Sequence, residues 1–279
     1  MTQGKLYVVA TPIGNLDDIT VRAIDVLKRA NLIACEDTRK SRILLQRWDI
    51  SAPLMSLHRF SESRRIKSIA ERLERGDHVA LISDAGTPAI SDPGSRLIKA
   101  AYEAGFVVTP IPGASSITAA LSVSGMDCSS FTYLGFVPRK TDQRRIFFED
   151  LGAETRTTIF FETARRISAT LAIAAEILSS RRMVMSRELT KLHEDIISGT
   201  ADVLLKALVS KGALRGEMTV AVEGAPRPEK EEDPDAAVKH LMSEGFSGKR
   251  LAEEAHRRFG IHKTAAYRRY LELKKSSTQ

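Results

Sequence analysis

Three times within the first 116 residues an apolar run breaks abruptly into a turn of small residues. Leu6–Asn15 reads LYVVATPIGN, His78–Gly94 reads HVALISDAGTPAISDPG, and Val107–Ser116 reads VVTPIPGASS. Apolar runs without strict alternation are strands buried on both faces, which points the chain to a parallel sheet covered by helices. Glycine and proline at such strand ends let the backbone approach a ligand closely, and in open α/β sheets ligands sit at the carboxyl ends of strands. The three turns are therefore expected to line one crevice.

Helical periodicity fills the gaps between strands. It predicts helices over Asp18–Ala30, Arg42–Trp48, Glu62–Arg75, Pro93–Ala104 and Ala114–Ser124, with further strands at Leu32–Cys35 and Leu54–Leu57. From Ser130 the pattern changes. Strands are expected at Phe131–Val137, Thr157–Phe161, Arg182–Leu189, His193–Gly199 and Glu217–Val222, with helices at Asp142–Leu151 and Ala164–Leu178. Only Thr190, Lys191 and Leu192 separate the third and fourth of these strands, so they form an antiparallel pair. The expected organisation is an N-terminal α/β domain over 1–126, a second, mixed domain over 127–225, a charged proline-rich linker over 226–234, and a helical tail over 235–279. In that tail Phe259–His262 resembles a helix-turn-helix connection.

A hydrophobic fraction of 43% supports globular cores, and a formal net charge of +7 favours a polyanionic partner such as nucleic acid. Cys35 and Cys128 lie far apart and outside any Cys-x-x-Cys pattern, which speaks against a zinc site or a disulfide framework and fits a reducing compartment. No apolar run is long enough to span a membrane, and the early strand-like Leu6–Ala10 is too short for a signal segment. A soluble cytoplasmic protein without a metal is the expectation.

The chemistry of the crevice is unusual for a strand-end site. Neither Walker A nor Gly-x-Gly-x-x-Gly occurs, and Pro12, Pro88 and Pro112 remove amide donors that a phosphate loop would keep. What remains is a set of carbonyls, the hydroxyls of Thr11, Thr87, Ser115 and Ser116, and the carboxylate of Asp84. Such a lining suits a zwitterionic or cationic ligand that carries an amine and a ribose.

The segments ATPIGNLDDIT, CEDTRKS, ISDAGTPAISDPG, PIPGASSITAAL, YLGFVPRK and RELTKLHE together resemble the small-subunit ribosomal RNA methyltransferases of the tetrapyrrole methylase superfamily. The likeness runs from about Leu6 to Gly224. It implies two α/β domains with S-adenosyl-L-methionine in the cleft between them, usually in a homodimer, and a helix-turn-helix-like tail. The implied activity is 2′-O-methylation of a cytidine ribose in the decoding region of 16S ribosomal RNA. Carried over position by position, it puts Pro12 beneath the cofactor, Asp84 and Thr87 at its methionine end, and Ser115 and Ser116 beside it. Phe161, Glu217 and Met218 would close over the adenosine. Ser61 stands where the family usually has Asn, which leaves the corresponding substrate contact open.

Methyl transfer to a ribose hydroxyl needs a group to take its proton and no strongly positive group beside the sulfur. The candidates are Asp37 with Glu36, and His58 with Glu62, at neighbouring strand ends. Asp37 has an alternative reading as a helix cap or a partner of Arg39, and His58 as an ordinary half-buried ring. For RNA, Arg39, Arg139, Lys140, Arg144 and Arg145 fall near the crevice mouth. Lys249, Arg257, Arg258, Lys263, Arg268 and Arg269 make the tail strongly basic, either as an RNA footprint or as a solvated helix face. Two other functions fit parts of the pattern: a methylase of a tetrapyrrole or other small molecule, and a nucleic-acid-binding regulator with a vestigial ligand domain.

Overall fold

The computed structural model describes residues 3–58, 62–210, 216–226, 234–259 and 261–276 of the 279, with the side chains at 62, 210, 234, 275 and 276 left out. Residues 1–225 form one compact unit and the remainder another.

The first unit begins with β1 (Lys5–Val9), a 3-10 turn at Leu16–Asp18, α1 (Val21–Arg29), β2 (Leu32–Cys35), α2 (Thr38–Arg47) and β3 (Leu54–Ser56). It continues through α3 (Glu62–Glu74), β4 (Val79–Leu81), α4 (Ser95–Glu103), β5 (Val107–Ile111) and the short α5 (Ser116–Ser122). The five strands pair in the order β3-β2-β4-β1-β5, all parallel. Successive side chains point to opposite faces, and here both faces are covered. Ile33, Cys35, Ala80 and Ile82 pack under α1 and α2, whereas Leu32, Ala34, Val79 and Leu81 pack under α3 and α4. This is why the strands read as unbroken apolar runs.

Helix starts were displaced from their expected positions by capping. The Asp18–Ala30 helix starts only at Val21, where Thr20 caps it through the Ala23 amide; the helix expected from Arg42 starts already at Thr38, behind Asp37. Pro93 does not open α4, because Gly94, at a φ of 127°, intervenes as its cap.

The second sheet is built from β6 (Phe131–Phe136), β7 (Thr157–Thr163), β8 (Met183–Arg187), β9 (Asp195–Gly199) and β10 (Glu217–Val222), with α6 (Thr141–Gly152), α7 (Ile167–Ile177) and α8 (Ala201–Ser210) between them. Its order is β6-β7-β10-β8-β9; β6 and β7 are parallel and every other pair antiparallel, including the expected β8–β9 pair. Helix α8 was not expected. One face of the sheet buries Phe160, Met185, Val220 and Val222 against α6, α7 and α8. The other face offers Ile159 and Ala221 to Ala120 and Leu121 of α5. A helix of the first half thus fills the core of the second.

The tail comprises α9 (Pro234–Ser243), α10 (Gly248–Phe259) and α11 (Lys263–Ser276) around Val238, Leu241, Leu251, Ala255, Ala266 and Tyr270. Most of the linker, 227–233, lies outside the described residues, as does Gly260 in the expected turn. No described helix is long and apolar enough to cross a membrane.

Phe160 is fully buried, and its ring meets the edges of Phe147 and Phe148. Replacing it by Ala is expected to cost about 3–5 kcal/mol, read as a shift of the urea midpoint at unchanged slope.

Candidate active site

The turn after β1 and the loop after β4 are tied together by a pair of backbone hydrogen bonds. The Thr11 amide donates to Gly86 O at 2.9 Å and the Gly86 amide to Thr11 O at 3.0 Å. Gly86 has a φ of 76°, which an L side chain rarely adopts, and a Cβ there would meet Ile13. The Thr11 hydroxyl lies over Ser83 O and Gly86 O. From the second half, the Thr190 hydroxyl accepts the Asn15 amide at 2.9 Å, and Gly14 runs so close that a Cβ would collide with Leu189 O.

Between these loops lies a cavity of about 300 Å³. Ile13, Glu36 and Lys40 form one side of it, and the β4 loop contributes Asp84–Thr87 and Ile90–Asp92. Ser115, Ser116 and Ile117 close the first half's part of the wall. The second half supplies a row fixed by strand register. Phe161, Thr219 and Ser186 are direct cross-strand neighbours on β7, β10 and β8, and all three line the cavity. Ser186 is 1% exposed and its hydroxyl has no hydrogen-bond partner among the described residues, an orphaned polar group at the cavity. Phe161 is flanked by the rings of Tyr133 and Phe136 at 5.2 and 5.4 Å.

The cavity is acidic. Glu36, Asp84, Asp92, Glu188 and Glu217 all line it, and its two lysines are matched by carboxylates. Lys40 Nζ lies 2.8 Å from Asp84 Oδ2, and Lys191 Nζ lies 2.8 Å from Glu188 Oε1. Asp84 accepts a second hydrogen bond, from the Asp37 amide at 3.0 Å. Asp92 is different: half-burial, then repulsion from Glu36, Asp84 and Glu217, push its carboxyl up to about 6, although the Ser83 hydroxyl pulls the other way. Ala89, Ser91, Glu188 and Thr190 hold positive φ, so four of the five non-glycine residues in that region among those described belong to the two loops bordering the cavity. Strained backbone of this kind persists where surrounding structure over-determines it, and it clusters at functional sites.

Of the residues nominated for the cofactor, Asp84, Thr87, Ser115, Ser116, Phe161, Glu217 and Met218 line the cavity. Pro12 does not; it is buried in the turn, and its neighbour Ile13 takes the lining position. Asp37 is also placed elsewhere: its carboxylate caps α2 through the Arg39 amide and grips the Arg39 guanidinium, which holds it down to about 2. His58 is exposed and not among the lining residues, and the side chain of Glu62 lies outside the described residues, as does Ser61. Sequence reading passed over Lys40, Asp92, Ser186 and Thr219.

The basic residues divide sharply. Arg139 and Lys140 are exposed just past β6, and Arg39 is 87% exposed beside Asp37. Arg144 is not available to a phosphate: it is 7% exposed and donates to the carbonyls of Pro138 and Arg139. Arg145 pairs with Glu176. In the tail Arg257 and Arg258 pair with Glu254, and Arg269 pairs with Asp235 and Glu272, whereas Lys249, Lys263 and Arg268 are exposed.

Residues 5–204 match the sequence profile of a family described as Tetrapyrrole (Corrin/Porphyrin) Methylases. A Pasteurella multocida protein named ribosomal RNA small subunit methyltransferase I is 40% identical over 273 residues, covering 96% of this chain and 97% of its own. A Mesorhizobium japonicum protein of the same name is 42% identical over 276 residues, covering 98% and 93%. Among solved structures, a cobalt precorrin-4 methyltransferase matches with a TM-score of 0.59 at 17% identity, over 78% of this chain and 94% of that one. A conserved hypothetical protein from Aeropyrum pernix gives 0.62 at 17% identity, over 81% and 86%. At such identities these two likenesses bear on the fold alone.

The raised Asp92 carboxyl makes stability pH-dependent. Folded Asp92 keeps its proton to higher pH than the unfolded chain does, so its contribution is complete below pH about 4 and is lost as pH rises through about 6. Urea midpoints measured from pH 4 to 7 are expected to fall more in the native chain than in Asp92→Asn; equal slopes would show that Asp92 titrates normally.

Proposed function

The chain belongs to the tetrapyrrole methylase family, in its ribosomal RNA small subunit methyltransferase I branch, and is a methyltransferase; from that premise we propose that it methylates the ribose 2′-hydroxyl of a cytidine in the decoding region of 16S ribosomal RNA, with S-adenosyl-L-methionine as donor. Neither the small-molecule methylase nor the vestigial regulator is favoured, because relatives bearing the ribosomal RNA name match nearly end to end.

The observation that carries the proposal is the charge of the cavity. Five carboxyl groups face two lysines there, and each lysine is within 2.8 Å of one of those carboxylates. The net acidic lining favours a ligand with cationic amine and sulfonium groups, and tying up the lysines removes the repulsion that free ammonium groups would exert on it. S-adenosyl-L-methionine supplies a methyl group on a positively charged sulfur, which becomes neutral when the methyl leaves. Asp84 and Thr87 would hold its amino-acid end, and Ser115 and Ser116 would border it. Phe161 and Met218 would offer apolar surface to the adenine, and the orphaned Ser186 hydroxyl a hydrogen bond. Glu217, at the start of β10, would sit near the ribose hydroxyls.

The chain's own work is then to hold the acceptor in line and keep water out. Arg139 and Lys140 lie at the end of the strand that carries Phe136, a lining residue, and would meet the RNA backbone at the mouth. Arg144 and Arg166 support that segment from beneath: Arg144 binds Pro138 O and Arg139 O, and Arg166 binds Val137 O and Pro138 O. The proposed setting is a cytoplasmic homodimer. Exposed Phe131 and Leu134 on the edge strand β6 are the kind of apolar surface a second copy covers.

Incubation with radiolabelled donor and 30S subunits that lack this modification is expected to give ribose-methylated cytidine; label on a base, or none from folded protein, would overturn the proposal. In the tail, RNA affinity is expected to depend on Lys249, Lys263 and Arg268 rather than on the paired arginines. Changing all three to Ala should lower the slope of log affinity against log salt by about 3, about one per lost phosphate contact. The same measurement on Arg257→Ala should show a much smaller change.

A further inference from the structure

Of the groups whose sequence setting suggests a proton acceptor, Glu36 lines the cavity, whereas Asp37 and His58 do not. Asp37 is committed to its cap and to Arg39, and His58 does not reach the cavity wall. The cavity's own carboxylates differ in how far they are already engaged. Both oxygens of Asp84 are taken, one by the Asp37 amide and one by Lys40. Glu188 is held by Lys191.

Asp92 faces the cavity from the β4 loop, half-buried, with no cation paired to it among the described residues. The polar and charged groups that act on it are the Ser83 hydroxyl and three carboxylates. Glu36 approaches from the end of β2, Asp84 from β4 with Lys40 of α2 behind it, and Glu217 from β10. Tyr133 on β6 completes the ring, held by burial and by the nearby Asp92 charge in its protonated form. The loop itself is fixed. Ala89 and Ser91 take φ of 67° and 66°, and the Ser91 hydroxyl bonds the Tyr133 hydroxyl at 2.6 Å, a link that crosses from the first half to the second. A carboxylate held on a strained and doubly anchored loop, beside the row of Phe161, Thr219 and Ser186, is a preorganised acceptor.

We propose that Asp92 is the general base of the transfer, taking the proton of the attacking ribose hydroxyl; this rests on the methyl-transfer reading given above. The balance is simple. The ribose O2′ forms a bond to the methyl carbon as the carbon–sulfur bond breaks, and that bonding pair stays on sulfur as a neutral thioether. The hydroxyl proton passes to an Asp92 carboxylate oxygen, from which water removes it after product leaves. No further reactant is required. A carboxyl that ionises near 6 is largely ionised at neutral pH yet more basic than an ordinary aspartate, which suits the task.

The test uses the full chain on 30S subunits, with Asp92→Asn and Asp92→Glu. In the native chain kcat/KM for the donor is expected to rise with pH through about 6 and then level off. Asp92→Asn should lose about a hundredfold to ten-thousandfold in kcat at saturating donor and show no such rise. Asp92→Glu should retain part of the rate together with a displaced inflection. A native profile that is flat through pH 6, or an Asn variant within about threefold of native kcat, would overturn the assignment. If Asp92→Asn fails to bind donor, the native profile and the Glu variant decide: an inflection in the Glu variant unmoved from the native one refutes the role. A native chain that methylates no ribose at all sinks the underlying function instead, and the unsubstituted arm alone reveals it.

Discussion

The reciprocal pair of amide bonds between Thr11 and Gly86 is the constraint on which the site depends. Two parallel strands that are neighbours in the sheet, β1 and β4, would normally diverge into separate loops. Here their continuations are joined again beyond the last ladder bond. That junction keeps the β4 loop folded back over the sheet edge and sets Asp84, Thr87 and Asp92 around one volume. It also explains the glycine, since the backbone at 86 must turn through a region closed to side chains while donating and accepting at once.

Charge arrangement follows from that geometry. Strand ends from both sheets deliver carboxylates to the same space, and their mutual repulsion would destabilise the fold without relief. Lys40 and Lys191 provide part of it, each from its own half, and below about pH 6 Asp92 relieves more by keeping its proton. A bound cation would relieve the rest, so unliganded strain and ligand preference are two aspects of one electrostatic field.

Much of the fold was legible in the chain because buried strands and glycine-terminated helices leave local marks. Continuous apolar runs identified the parallel sheet, and the three-residue gap at Thr190–Leu192 identified an antiparallel pair. Cavity-lining residues were legible where a turn announced them, as with Asp84, Thr87 and Ser115. They were illegible where register decides. Ser186 and Thr219 sit inside strands and reach the cavity only because β8 and β10 align them with Phe161, a fact no spacing in the sequence carries. Asp37 misled for the opposite reason. Its position at a strand end is right for catalysis, but the next residues start a helix, and the exposed amides there claimed the carboxylate first. Arg144 likewise stood in a basic cluster, yet its place on the inner face of α6 turned it toward backbone carbonyls.

Helix α5 has a further consequence for how such proteins can be recombined. Although it follows directly from β5 in the chain, Ala120 and Leu121 belong to a cluster with Ile159 and Ala221 of the second sheet. A chimera joined in the Gly125–Ser129 connection would separate that helix from the strands it seals, leaving a groove on one parent's sheet and a mismatched plug from the other. A functional exchange of halves should therefore carry residues from Ser116 onward as a single cassette, and breakpoints chosen from chain order alone would fall on the wrong side of it.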